Sequence, residues 1–321
     1  MSLRDLGRLL RLSLLPSALA DVAGGVVLGN LGHWPVGAGP WWLLGSSACV
    51  YHGAMALNDW RDREHDRATR PTRPIPSGAV PAGTALTLAL LLLGFGPLLA
   101  LQHSREAALW SLGLSLLAAS YDLVGRGPLL GPLLLAACRA GNLGLGLFLG
   151  SGELGGGAPT RLLLAPLALY GLYVLRVSQL GRLEDGEAAL GPPGAGQDLS
   201  SAALGGRPRG LVSSAATMLL LVPLIPPFEP LVISLEARAV AAALAWPAAV
   251  GLFLAAFRGG DWSRGRVEST MGLALRRLSI FGACCAALAW RRPVHDGLIV
   301  AAAILVGLGL AVRLRRVFPP S

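Results

Sequence analysis

The chain has 321 residues, of which 53% are hydrophobic and only 14% are charged. Ordinary soluble domains carry about 25% charged residues, so this composition excludes a soluble globular protein and a disordered one. The formal net charge is +9, and every basic residue counted is arginine, because the sequence contains no lysine. Such basicity suits an anionic membrane face or a phosphate-bearing ligand, and the long apolar runs make nucleic acid the weakest candidate partner.

Apolar runs long enough to cross a membrane recur along the chain. A transmembrane helix needs roughly 20 apolar residues, and the alternation typical of β-barrel strands is absent. We therefore predict an all-α integral membrane protein, a single polytopic domain over residues 1–321. The runs lie at about 9–31, 41–60, 80–101, 106–122, 128–150, 161–181, 210–228, 236–257 and 295–314. A further segment, about 268–290, carries two arginines in mid-run and either spans, dips into the membrane or lies on its surface.

Arginines collect at alternate ends of these runs. The N-terminus and the loops after spans two, six and eight are rich in arginine, whereas the intervening loops hold almost none. The positive-inside rule therefore predicts that the N-terminus and these three loops lie on the cytoplasmic side of the cytoplasmic membrane. Arg313, Arg315 and Arg316 join them only if 268–290 also spans.

The most informative stretch begins where the second apolar run ends and extends from Asn58 to Gly78. Asp59, Asp62 and Asp66 are three and four residues apart, so they share one face of a helix. Three carboxylates on one face repel each other, and a cation is expected to offset them. Oxygen ligands suit Mg²⁺, which takes one or two carboxylates together with waters and substrate phosphates. The alternative is a solvated loop of mixed charge, since arginines interleave with the carboxylates.

A proline-rich segment follows the carboxylates. Pro71, Pro74 and Pro76 cannot extend the helix, so Arg70 and Arg73 are expected in an extended loop. Guanidinium groups match the geometry of phosphate oxygens. These two arginines are therefore candidates for phosphate contact or for holding the loop.

This stretch resembles the first aspartate-rich motif of the UbiA superfamily of intramembrane prenyltransferases. It reads Asn58-Asp59-x-x-Asp62-x-x-x-Asp66, followed by Arg70-Pro71-x-Arg73-Pro74-Ile75-Pro76-Ser77-Gly78. The number of spans also fits, and Arg11-x-x-x-x-Pro16 resembles the superfamily's usual opening. The resemblance implies a UbiA-like bundle of about nine transmembrane helices around a central cavity. Its polar cap would lie on the cytoplasmic side and comprise loops at about 60–79, 122–128 and 182–209.

The resemblance also implies an activity. Members bind an isoprenoid diphosphate through Mg²⁺ held by two aspartate-rich motifs, and a lipophilic acceptor captures the allylic carbocation after the diphosphate departs. Stabilising a departing polyanion needs metal and basic residues but no nucleophilic side chain. By resemblance, Asp59 and Asp62 are the leading metal ligands and catalytic carboxylates. Asp66 is a further metal ligand, and Asn58 is expected to support substrate binding beside Arg70 and Arg73.

The second aspartate-rich motif is expected at the end of span six, where this chain departs from the pattern. Glu184 and Asp185 are adjacent, so in a helix they diverge by about 100°. One of them can still reach a shared metal, and both remain candidate ligands. The alternative is a polar helix end at the membrane surface. The ending Ser178-x-x-x-Arg182-x-Glu184 resembles the divergent EboC-type branch of the superfamily.

The superfamily commonly places a tyrosine and a lysine near the end of span four for diphosphate contact. Tyr121 and Arg126 occupy the matching stretch and are candidate catalytic residues by resemblance. Arginine supplies the charge of lysine with a different hydrogen-bond geometry. Tyr121 can instead belong to the interfacial aromatic belt. Asp122 is an extra carboxylate that can pair with Arg126.

Ionisable residues also lie inside the spans, where charges usually face a cavity or a partner. One interpretation pairs Asp21 with Arg139 as a structural ion pair. The other places Arg139 and Asn142 at the polar end of the cavity as substrate-binding residues. The stretch Arg139-Ala140-Gly141-Asn142 resembles the superfamily's span five, which supports the second interpretation.

Three functional hypotheses follow. The first is Mg²⁺-dependent transfer of a prenyl group from an isoprenoid diphosphate to an aromatic or other lipophilic acceptor, with membrane lipids as surroundings. The second is a non-catalytic membrane protein that carries or translocates a lipid or small metabolite, because the second acidic motif is degenerate. The third is an inverted-repeat transporter, which predicts broken helices at mid-membrane. The acceptor, prenyl length, number of metals and oligomeric state are open at this point.

Overall fold

The computed structural model describes residues 2–125, 127, 129–149, 160–188, 206–226 and 233–318, with the side chains of 149, 160–163 and 184–188 outside the description. Within these residues the fold is helical, and the β-structure consists of one isolated bridge between Arg291 and Val294. The prediction of an all-α protein is confirmed.

Eleven α-helices follow one another in the described ranges. They are α1 (Leu3–Leu9), α2 (Leu15–Gly29), α3 (Gly39–Thr69), α4 (Ala82–Leu101), α5 (Arg105–Val124), α6 (Leu130–Leu149), α7 (Thr160–Ala188), α8 (Arg207–Leu221), α9 (Leu235–Phe257), α10 (Arg264–Leu288) and α11 (Asp296–Val317). A 3₁₀ turn at Leu12–Leu14 joins α1 to α2, and another at Val222–Leu224 follows α8.

Seven segments in the described part are long and apolar enough to cross a membrane. They are Leu12–Gly29, Ala82–Leu101, Arg105–Val124, Leu130–Phe148, Leu235–Phe257, Arg264–Leu288 and Asp296–Val317. The segment at about 268–290, which the sequence leaves open, therefore lies in a helix suited to crossing. Helices α3 and α7 are 31 and 29 residues long and carry charged residues toward their C-terminal ends. The count of nine spans was thus approximate.

One end of the bundle gathers the chain's N-terminus, its C-terminus and the stretch 58–80, and we call it the motif end. Arg8 donates a hydrogen bond to the Thr72 carbonyl at 2.9 Å, which joins α1 to the loop after α3. The ring of Phe318, just after α11, lies against Gly7 of α1. The C-terminal arginines therefore lie at the same end as the aspartate-rich stretch.

The opposite end gathers the beginnings of α9 and α11. The backbone N–H of Trp34 donates to Asp296 at 2.9 Å, and Arg292 pairs with Glu236 at 3.4 Å. Helix α10 thus runs from the motif end to the opposite end, and α11 returns. The assignment of the motif end to the cytoplasm stays a prediction.

Helix α2 packs directly against α6 and α10. A Cβ added at Gly24 would overlap the carbonyl of Gly282 in α10, and one added at Gly146 of α6 would overlap the carbonyl of Val22. In lipid, where apolar burial alone does not hold helices together, such close backbone approach supplies the packing energy. Residue 24 therefore has to be glycine, because a side chain there would clash with the backbone of α10.

Replacing Gly24 with alanine tests this contact. We expect Gly24→Ala to destabilise the protein by about 1–3 kcal/mol, because the new methyl group forces two backbones apart. Gly94→Ala in α4 is the matched control, since an added Cβ there meets nothing within 4 Å. Thermal unfolding in detergent measures both. Equal melting temperatures for the two variants would contradict the packing described here.

Candidate functional site

The aspartate-rich stretch forms the last turns of α3. The helix ends at Thr69, immediately before the proline-rich segment, as the sequence predicts. Asp59 and Asp66 are buried and Asp62 is half-buried. The regular helix keeps all three carboxylates toward one side, as their spacing requires.

Arg11 contacts this carboxylate face from the turn before α2. Its guanidinium lies 2.9 Å from Oδ1 of Asp59 and 3.5 Å from Oδ1 of Asn58. Arg11 has φ of 50° and ψ of 48°, a left-handed conformation that costs about 1–3 kcal/mol in a non-glycine residue. Tertiary contacts therefore hold Arg11 in place. Only the Arg11-x-x-x-x-Pro16 pattern could have singled it out from the sequence.

Arg73 contacts the same face from the loop after α3. Its Nη1 lies 2.6 Å from Oδ2 of Asp66 and 3.5 Å from Oδ1 of Asp59, and the residue is only 5% exposed. Of the two roles that the sequence allows, holding the loop is the one this geometry supports. Arg70 is exposed. The cations that offset Asp59 and Asp66 are thus the guanidiniums of Arg11 and Arg73.

Asn58 and Asp62 form a second pair on the same helix. The amide Nδ2 of Asn58 donates to Oδ2 of Asp62 at 3.4 Å. Asp122, at the end of α5, lies within electrostatic range of both Asp59 and Asp62. Its two carboxylate oxygens are buried, and the only donor near them among the described residues is the amide of Asn58. One oxygen each of Asp59 and Asp66 is likewise buried without a partner in the described ranges. Buried carboxylate oxygens without donors attract a cation, because leaving them unpaired is costly.

The ends of α5 and α7 complete the site. Tyr121 lies within electrostatic range of Arg11, Asp62 and Arg182, which places it toward the site. Arg182 of α7 donates to the carbonyl of Gly125 at 2.9 Å, which fixes the two helix ends together. Sequence analysis placed Arg182 in the Ser178-x-x-x-Arg182-x-Glu184 pattern and among the arginines after span six, but gave it no partner. Its role became visible only when the fold brought α5 and α7 together.

Three predicted site residues lie outside the described part. Arg126 falls in the short gap after α5, and the side chains of Glu184 and Asp185 fall in the undescribed end of α7. Their roles in phosphate contact and metal binding stay predictions. The backbone of α7 does bring the second acidic motif to the motif end, because neighbouring Arg182 bonds to the end of α5.

The donor set fits a magnesium ion that shares its shell with a substrate. Within the described ranges, no group of three or more His, Cys, Asp or Glu residues is arranged to hold a metal by itself. Mg²⁺ rarely needs such a group, because it keeps waters and takes substrate phosphates beside one or two carboxylates. The oxygens of Asn58 and Asp62, with the buried carboxylate of Asp122 nearby, match that requirement.

A second polar cluster lies deeper in the bundle. Arg139 of α6 pairs with Asp21 of α2 at 3.0 Å, and Tyr170 donates to the same carboxylate. Asn142 donates to Asp21 at 3.2 Å and accepts from Ser47 at 2.7 Å. One interpretation of the sequence predicts an ion pair between Asp21 and Arg139, and the structure contains that pair. Substrate contact by Arg139 and Asn142 stays a prediction.

Comparison with known proteins identifies the class to which this fold and site belong. The UbiA prenyltransferase family model matches residues 18–280. A UbiA homologue from Archaeoglobus fulgidus bound to GPP and Mg²⁺ has a similar fold, with a TM-score of 0.63 at 17% identity, over 93% of this chain and 99% of that one. The chain belongs to the UbiA prenyltransferase family, so the resemblance seen in the sequence is confirmed.

Curated relatives match over shorter segments. The digeranylgeranylglyceryl phosphate synthase of Ignicoccus hospitalis is 43% identical over 89 residues, which cover 28% of each protein. The bacteriochlorophyll synthase 33 kDa chain of Cereibacter sphaeroides is 32% identical over 152 residues, which are 44% of this chain and 48% of that one. The matching segments thus span half or less of these relatives.

The buried Arg73 is expected to stabilise the motif end. Arg73→Gln leaves the carboxylates of Asp59 and Asp66 short of a partner, and removing one member of a buried ion pair costs about 3–5 kcal/mol. Exposed Arg70 offers the matched control: Arg70→Gln is expected to change stability by less than about 0.5 kcal/mol. Thermal unfolding in detergent compares the two. If both variants have the melting temperature of the wild type, Arg73 does not stabilise the motif end.

Proposed function

We propose that this protein is a Mg²⁺-dependent prenyltransferase that transfers a prenyl group from an isoprenoid diphosphate to an aromatic or other lipophilic acceptor. The observation that carries the proposal is the cluster at the motif end of a UbiA fold, where Asn58 and Asp62 face Arg11 and Tyr121. Supporting it, the A. fulgidus homologue of similar fold was solved with GPP and Mg²⁺. The relatives matched by sequence include a digeranylgeranylglyceryl phosphate synthase and a bacteriochlorophyll synthase chain.

The carboxylates divide into two roles in this proposal. Asp62 and Asn58 bind the metal, with Asp122, Glu184 and Asp185 as further candidate ligands. Asp59 and Asp66, which the motif spacing equally nominates, are already engaged by Arg11 and Arg73. We therefore assign these paired oxygens to positioning the motif. The second oxygen of each, buried without a partner among the described residues, keeps Asp59 and Asp66 as candidate metal ligands.

Bound Mg²⁺ supplies positive charge that neutralises the diphosphate and favours its departure. The allylic C–O bond breaks, and its electron pair leaves on the diphosphate oxygen. Arg11, Arg182 and the hydroxyl of Tyr121 can donate hydrogen bonds to those oxygens as negative charge builds there. The acceptor then gives an electron pair to the allylic carbon and loses a proton to the departed diphosphate.

The metal assignment is tested by Asp62→Asn. We expect Mg²⁺-dependent transfer from labelled geranyl diphosphate to fall at least a hundredfold, because one oxygen ligand loses its charge. Mg²⁺-dependent binding of geranyl diphosphate, measured by isothermal titration in detergent, is expected to weaken in parallel. Glu64→Gln is the control, since Glu64 lies on the same helix but is exposed and pairs with Arg67. Full transfer by membranes carrying Asp59→Asn and by those carrying Asp62→Asn would refute the proposal.

The non-catalytic alternative rests on the degenerate second acidic motif, in which Glu184 and Asp185 are adjacent in the sequence. A carrier would bind a lipid or metabolite without releasing diphosphate. Mg²⁺-dependent release of diphosphate from geranyl diphosphate by the purified protein therefore excludes it. We also propose, from the arginine-rich loops, that the motif end faces the cytoplasm.

A further inference from the structure

His52 lies on the same stripe of α3 as the two buried aspartates of the motif. His52, Asp59 and Asp66 follow one another at intervals of seven residues, close to two helical turns, so their side chains project from one face. All three are buried. Asp59 and Asp66 bind guanidinium groups, whereas His52 binds a backbone carbonyl. The stripe therefore receives main chain as well as side chains.

The carbonyl that His52 binds belongs to Leu10, the residue that caps the C-terminal end of α1. Nδ1 of His52 lies 2.7 Å from the carbonyl oxygen of Leu10. A carbonyl oxygen only accepts, so Nδ1 carries the proton and donates the hydrogen bond. The last carbonyls of a helix have no partner within the helix, and α3 supplies one here through His52.

The residue after Leu10 is Arg11, whose backbone has the left-handed conformation described above. Glycine is the usual residue in this conformation just after a helix, because it has no Cβ. Arginine at this place has to be held by its surroundings. Because a peptide group is planar, a fixed carbonyl at Leu10 also fixes the peptide plane relative to which the φ angle of Arg11 is set. His52 therefore restricts the backbone of Arg11.

The side chain of Arg11 is held at a second point on the same stripe. Asp59, about 10 Å farther along α3 than His52, binds the guanidinium at 2.9 Å. The same guanidinium lies 3.5 Å from Oδ1 of Asn58, a proposed metal ligand. His52 thus holds the backbone next to Arg11 while Asp59 holds the far end of its side chain. Together the two contacts keep the guanidinium at the motif.

We propose that His52 is a positioning residue for prenyl transfer. By holding the carbonyl of Leu10, it keeps Arg11 in the backbone conformation that presents the guanidinium to the aspartate-rich motif and to the departing diphosphate. This role rests on the function proposed above, in which Arg11 donates hydrogen bonds to the diphosphate oxygens. His52 is two helical turns from Asp59 and acts through Arg11, without touching the substrate.

Two substitutions of His52 test this role. His52→Phe keeps a planar ring but removes the donor, and we expect kcat for transfer from labelled geranyl diphosphate to fall at least tenfold. His52→Asn keeps an N–H donor near the position of Nδ1 and is expected to stay within threefold of the wild type. His65→Phe is the control, because His65 is exposed on the same helix, and wild-type kcat is expected. Equal loss of activity in His52→Phe and His52→Asn would overturn the role of the hydrogen bond.

A double-mutant cycle tests whether His52 acts through Arg11. Arg11→Gly removes the guanidinium and suits a left-handed backbone, and we expect its kcat to fall at least as far as that of His52→Phe. Adding His52→Phe to Arg11→Gly is expected to lower kcat by less than a further twofold. A further tenfold loss would show that His52 acts independently of Arg11 and would overturn the proposal.

Hydrogen–deuterium exchange in detergent tests the same contact without any substrate. We expect the amides of residues 8–14 to exchange at least fivefold faster in His52→Phe, because this turn has lost the donor that holds it. His52→Asn and His65→Phe are expected to exchange there at the wild-type rate, and residues 43–50 of α3 are expected to keep that rate in all three variants.

The exchange measurement also separates this inference from the function on which it rests. Wild-type exchange of residues 8–14 in His52→Phe would overturn the positioning role, whether or not the protein transfers a prenyl group. Absence of transfer by the wild-type protein would refute the proposed function, and faster exchange in this turn would still show that His52 holds the backbone of Arg11.

Discussion

The ion network of Arg11, Asp59, Arg73 and Asp66 joins three segments of this protein that are separate in the sequence. Arg11 precedes α2, the two aspartates lie on α3, and Arg73 lies in the loop that follows. Inside an apolar bundle each charge is costly alone, so pairing forces these segments together. The position of the N-terminal turn, including the left-handed backbone of Arg11, follows from that pairing. The network also fixes the helix face from which Asn58 and Asp62 project.

The same network explains why equally spaced carboxylates do not share one role. Spacing by three and four residues places Asp59, Asp62 and Asp66 on one side of a helix, and it makes them equivalent as metal ligands. Burial makes them different. Two of them are buried against guanidiniums, whereas Asp62 is half-buried beside Asn58. The buried pairs hold the helix end in place, and the more accessible Asp62 is the carboxylate that we propose as the leading metal ligand.

The sequence predicted what local chemistry controls. The apolar runs predicted an all-α membrane protein, the prolines predicted where α3 ends, and the motif predicted the family. It did predict the pair of Asp21 and Arg139 as one interpretation, but not the partners of Arg11, Arg73 and Arg182, because these depend on which helix ends meet in the fold. Arg182 contacts the end of α5 across 57 positions in the sequence, and no local pattern encodes that distance. The span count was approximate for a related reason: helices α3 and α7 mix apolar and charged parts, so length and hydropathy alone do not delimit them.

Charge balance also explains why the motif end needs a cation for the function that we propose. A diphosphate carries high negative charge, and carboxylates can bind it only through an intervening cation, which suits the side where Asn58, Asp62 and Asp122 lie. Arg11 and Arg73 reduce the negative charge of Asp59 and Asp66 but do not remove that of the neighbouring carboxylates. The arginines therefore hold the helix end in place, and the metal that we propose would join the remaining carboxylates to the diphosphate.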